Sequence, residues 1–103
     1  MKISEIKVSY TNKNKELQII KDSKSSYDVL LACWNKHTIE LQEEFKVLLL
    51  NRRNVVLGIY PLSKGGIAGT IVDAKLVFSV ALKCNASNII LAHNHPSGSL
   101  IPS

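Results

Sequence analysis

Residues 93–95 read His-Asn-His at the close of the apolar run Ile89-Ile90-Leu91-Ala92, and a proline follows at 96. On an extended strand residues i and i+2 share a face, so His93 and His95 can aim both imidazoles at one point, while Asn94 points the other way. An H-x-H pair is often only structural. Here the pair ends a buried strand, Pro96 stops that strand, and a Ser-Gly turn follows at 97–98. Active sites of α/β proteins occupy such strand ends, which favours a metal site. A catalytic zinc normally takes three protein ligands and keeps a fourth position open. Spacing alone names no third ligand, because His37, the remaining histidine, is expected at the end of a helix as an exposed cation.

Other arrangements that could do chemistry are weaker. Three consecutive letters HNH do not make the nuclease module of that name, whose residues are dispersed along the chain. The H-x-E and P-C-x-x-C of a zinc deaminase are absent. Glu43 and Glu44 read, from the residues alone, as the solvated start of a strand. Gly65, Gly66 and Gly69 form a glycine loop without the Lys-Ser or Lys-Thr of a phosphate-binding P-loop, so the loop reads as a connection. Cys33 and Cys84 lie in apolar helical contexts with no C-x-x-C, which fits free, buried thiols of a cytoplasmic protein.

The elements that must position the histidines follow from periodicity. "ISEIKVSY" and "ELQII", separated by a polar turn, predict an N-terminal β-hairpin. "SSYDVLLACWNK" changes to helical spacing, with Ser25 or Ser26 as N-cap. "EEFKVLLLN" and "VVLGIYPL" around "NRRN" predict a second hairpin, dense enough in apolar residues for a sheet covered on both faces. "IVDAKLVFSVALKCNAS" predicts a second helix with Asp73 near its start and Lys83 near its end. "NIILAH" is then a central strand, giving the order β, β, α, β, β, α, β.

Composition sets the class. The 103 residues are 46% apolar and 20% charged, ordinary for one small folded domain. The opening residues lack the apolar core of a signal peptide, and no run reaches the roughly 18 apolar residues of a membrane span, so a cytoplasmic location without membrane contact is expected. A formal charge of +5 suits a polyanion partner. No cluster of five or more basic residues occurs, however, and a solvated basic surface is the simpler reading.

"AHNHPSGSLIPS" closely resembles the metal-binding motif of JAMM (MPN-plus) domains in the form found in RadC proteins: an upstream Glu, then H-x-H, seven residues, Ser, two residues and Asp. The likeness extends through "QEEFKVLLLNRRN", "SKGGIAGT" and "VDAKLVFSVALKCNASNIILAHNHPSG". It implies an α/β, three-layer, cytidine-deaminase-like (JAB/MPN) mixed sheet with flanking helices. It also implies that His93 and His95 bind Zn2+, that Glu44 matches the catalytic glutamate, and that Ser103 steadies the oxyanion. The motif Asp, the third ligand, would fall three positions beyond Ser103. The 103 residues are therefore expected to be a single RadC-like domain lacking its C-terminal part, and inactive by themselves.

By resemblance the complete protein is a zinc-dependent hydrolase, in which Glu44 activates water for attack on a peptide or isopeptide bond of a peptide or protein substrate. RadC proteins carry a DNA-repair label. The alternative is a nucleic-acid-associated accessory domain with a structural or vestigial metal site. Longer RadC proteins also carry a helix-hairpin-helix segment with a G-x-G turn, and residues 1–40 contain no glycine. That departure removes one ground for expecting DNA contact. The sequence leaves the oligomeric state and the substrate open.

Overall fold

The computed structural model describes residues 1–13, 16–64, 72–96 and 100–102. Its elements run α1 (Ser23–Cys33), β1 (Glu44–Leu50), β2 (Val56–Lys64), α2 (Ala74–Lys83), β3 (Asn88–Asn94) and β4 (Leu100–Pro102). The strands form one sheet in the order β2-β1-β3-β4, and each of the three pairings is antiparallel. The parallel pairing that a mixed sheet contains is not found among the described residues.

β1 carries the sheet's two cores because its residues alternate. Leu48 and Leu50 join Ala92 of β3 with Leu30 and Trp34 under α1. Val47 and Leu49 join Val77 of α2, with Val80, Ala81 and Leu91 packed around them. Side chains of opposite parity point to opposite faces. The two helices therefore lie on the two faces, which is the three-layer α/β architecture.

Local chemistry explains the ends of these elements. Asp22, rather than Ser25 or Ser26, is the N-cap of α1, and Ser25 is its partner in a capping box: Ser25 N donates to Asp22 Oδ1 at 2.8 Å and Asp22 N donates to Ser25 Oγ at 3.0 Å. Asp73 caps α2 through Leu76 N. In the β1–β2 turn, Asn51 Oδ1 accepts from Arg53 N and Val55 N, and Asn54 takes the left-handed conformation with φ 61°. Pro61, which cannot donate a ladder hydrogen bond, is exposed on β2 at the sheet's edge.

The N-terminal hairpin expected from alternation does not form. Residues 3–13 are exposed and outside any strand, and only Ile19 bridges to Val55, flanked by Ile20 N donating to Asn54 O and Val56 N donating to Gln18 O. A two-residue period produces a strand only where a face is there to bury it. The pairing here stops at 18–20. β4 is a further element that the sequence pattern did not suggest: three residues pair beside the end of β3, setting Ile101 opposite His93.

Candidate metal centre

His93 is the penultimate residue of β3 and His95 follows the strand. Their imidazole centroids lie 4.9 Å apart with the rings at 76°. Two imidazoles on one tetrahedral zinc, each at a Zn–N distance near 2 Å, have centroids about 5 Å apart. The spacing of the pair is that of two imidazoles on one metal and also that of an edge-to-face ring contact. His93 is set opposite Phe45 of β1 in the ladder, and the two rings stack at 4.7 Å and 32°. That contact restricts the ring that has to hold a fixed direction. Among the described residues no group of three His, Cys, Asp or Glu side chains is arranged to hold a metal.

Glu44 is not brought to the histidines. It has the parity of Leu48 and Leu50, the α1 face, whereas His93 shares the opposite face with Phe45 and Leu91. Its side chain is buried, with the residue 4% exposed, and Oε2 lies 3.9 Å from Lys46 Nζ. Lys46 in turn donates to Cys33 O at 2.9 Å, at the end of α1, and lies 4.8 Å above the Trp34 ring. The expectation that Glu44 faces the metal is corrected by the ladder register: one residue along a strand changes the face. Glu43 is the half-buried residue just before β1. Alternation continued one residue beyond the strand would put it on the side of Phe45 and His93.

Asn94 points away from the histidines, as strand alternation predicts. It is wholly buried on the α1 face, where Oδ1 accepts from Glu44 N at 2.8 Å and Nδ2 donates to Ile39 O at 2.6 Å and Gln42 O at 3.0 Å. An amide forced into a core must find partners. The sequence signal was therefore present: an asparagine of inward parity at the end of an apolar strand.

The remaining candidates separate cleanly. His37 is exposed in the turn after α1, where its N–H donates to Asn35 Oδ1. Ser103 and the glycine loop at 65–71 lie outside the described residues. Cys33 and Cys84 are free and half-buried rather than fully buried. Burial pushes the Cys33 thiol above its ordinary range against the opposing pull of Lys46, which disfavours the thiolate. No helix among the described residues is long and apolar enough to cross a membrane.

A three-layer α/β domain with an H-x-H at the end of an inner strand is the framework of a JAB-type domain, and comparison with known proteins agrees. A family model described as a RadC-like JAB domain matches residues 20–103, so the chain belongs to that family. It is 61% identical over 61 residues to a UPF0758 protein of Flavobacterium johnsoniae, a match covering 59% of this chain and 27% of the relative. A UPF0758 protein of Porphyromonas gingivalis is 48% identical over 62 residues, covering 60% of this chain and 27% of the relative. One from Clostridium beijerinckii is 44% identical with the same coverage. The matched region thus spans about a quarter of the length of these relatives.

Proposed function

We propose that this domain supplies the histidine half of a zinc-dependent hydrolase centre of the JAMM type, acting on a peptide or isopeptide bond. The observation that carries the reading is the pair of imidazoles 4.9 Å apart at the end of β3, one of them stacked on Phe45. His93 and His95 hold the ion, with the acidic residue of the motif as third ligand. When bound, zinc supplies Lewis acidity at the strand end. Glu43 takes the carboxylate role expected of Glu44, accepting a proton from the attacking water and returning it to the leaving amine. Ser103 donates to the developing oxyanion, as the resemblance implies. Family membership supports this reading.

Zinc titration of the chain by calorimetry tests it, with His93→Ala as the blank. The expected result is one-to-one binding far weaker than a complete site gives, reduced about 100-fold further by the substitution, since half of the available ligand set is removed. Binding of equal strength in the two proteins would overturn the proposal.

A second reading draws on the +5 charge and on Arg52 and Arg53, both exposed at the β1–β2 turn. It makes the domain a nucleic-acid-associated accessory. Salt-sensitive DNA binding that survives His93→Ala and weakens in Arg52→Ala with Arg53→Ala would favour it.

A further inference from the structure

The basic charge of the chain is unevenly placed. Residues 1–44 hold seven lysines against seven acidic residues, so the whole +5 belongs to residues 45–103, where Asp73 is the single acidic residue. Two of the cations there, Arg52 and Arg53, stand together and exposed in the β1–β2 turn, and neither guanidinium enters an ion pair among the described residues. They line one cleft of about 400 Å³ with Asn51 of the same turn and with Asn85 and Ser87 of the α2–β3 connection. The lining has no apolar, aromatic or acidic side chain.

Hydrogen bonds fix the walls of this cleft. Asn51 Oδ1 accepts from Arg53 N at 2.9 Å and Val55 N at 3.0 Å, which sets the first turn. Asn85 takes the left-handed conformation, φ 56°, and the N–H groups of Asn85 and Ala86 donate to Leu82 O and Ala81 O, which closes α2 and sets the second. The two turns are tied to each other, Ser87 N donating to Leu50 O at 2.8 Å and Asn88 Nδ2 to Asn54 Oδ1 at 3.0 Å. A guanidinium carries a planar fork of donors that matches the oxygens of a phosphate, and a braced frame reduces the ordering that binding costs. The C-terminal dipole of α2 opposes an anion at this end, and Lys83 in the last turn offsets it.

We infer that this cleft binds adjacent phosphates of a nucleic-acid backbone, as a docking site at the opposite end of the sheet from the imidazoles. The inference rests on the second reading above and gives it a place and a mode. A polymer backbone suits the cleft better than a free nucleotide, because the lining offers no aromatic or apolar face to a base, and better than a bilayer, because it offers nothing to insert among lipids. Contacts to phosphate alone carry no sequence information. The ladder sets Leu50 beside Asn88 and Phe45 beside His93, which at the rise of a strand are about 17 Å apart, so the two sites can be filled together.

The test titrates this chain into a fluorescently labelled DNA duplex of mixed sequence and follows anisotropy from low salt to about 200 mM. Arg52→Ala with Arg53→Ala is expected to weaken binding about tenfold at low salt and to lower the slope of log K against log salt by about 1.8, the counterions of two phosphates. Lys2→Ala with Lys7→Ala removes the same charge from the exposed N-terminal segment and is expected to change affinity less than about twofold. Ser87→Ala removes no charge, so it is expected to weaken binding about threefold with the slope unchanged, and it reads the cleft if the arginine pair disturbs the turn. Equal losses from the two charge-removing pairs would overturn the inference and leave the second reading standing as diffuse attraction. Displacement of the duplex from the unsubstituted chain by phosphatidylglycerol vesicles, or by inorganic phosphate at about 1 mM, would also overturn it, assigning the cleft to a bilayer or to a free anion. No duplex binding by the unsubstituted chain would remove the second reading and this inference together, and leave the metal reading untouched.

Discussion

At the histidine end of the sheet the two faces are built for opposite purposes. On one, Phe45, His93 and His95 present a ladder of rings, half-buried, with the imidazoles paired at 4.9 Å. On the other, Glu44, Lys46, Asn94 and Trp34 form a buried polar cluster bonded to α1 and to the lead-in of β1. The first face is built of ring contacts. The second has its donors and acceptors turned toward the protein. The two differ by a single step of strand parity, which puts Glu44 on the bonded face, while Glu43 precedes the strand. The Glu44 carboxylate on the bonded face lies beside Lys46.

The sharpest way to break that comparison is to neutralise each glutamate in turn. In a longer protein carrying the acidic third ligand, Glu43→Gln is expected to lower kcat/KM for an isopeptide-linked substrate by about 1000-fold, within the range for loss of a general base. Glu44→Gln is expected to stay within about twofold at a temperature where the protein is folded. Equal losses, or the reverse order, would show that the register does not separate the two residues.

A smaller effect is expected from Lys46→Met, which preserves most of the side-chain volume. The substitution leaves the buried Glu44 carboxylate without its cation and Cys33 O without its donor. A loss of about 2 kcal/mol in urea unfolding is expected, on the scale of an uncompensated buried polar group. Zinc affinity should be unchanged, because Lys46 lies on the other face. Restoration of stability by Glu44→Gln in the Lys46→Met background would sharpen the pairing, and a stability unchanged by Lys46→Met would remove it.

The sequence made one of these faces legible and concealed the other. The H-x-H spacing, the helix patterns of 23–33 and 74–83 and the hairpin around 51–55 all depend on local periodicity, and the structure contains them. Glu44 was misplaced because the alignment of a motif says which residue types occur, whereas the face a side chain takes is set by ladder register between segments about fifty residues apart. The N-terminal alternation misled for a related reason. Ile3, Ile6 and Val8 have strand spacing, yet the structure leaves them exposed. The partners of Asn94 are not legible in the sequence because two of the three, Ile39 and Gln42, lie on a stretch without regular periodicity.

The smallest expected effect concerns the helix that covers the bonded face. Asp22 caps α1, and hydrogen bonds from the Ser25 backbone and side chain, with Lys21 adding a favourable charge, hold its carboxyl below the ordinary carboxylate range. A carboxyl whose pKa is lower when folded binds protons more readily in the unfolded chain. Its contribution is therefore fully present above the unfolded value near 4 and is lost as pH falls through the lower folded value. Asp22→Asn keeps an oxygen for Ser25 N and removes the titration. Chemical unfolding from pH 6 to pH 2 should accordingly show a shallower acid loss in Asp22→Asn than in the unsubstituted chain, with near-equal stability at pH 2. Because α1 covers Lys46 and Trp34 but not the imidazole face, cobalt affinity at pH 7 should be the same in both proteins, and a difference there would mean that the two faces are coupled.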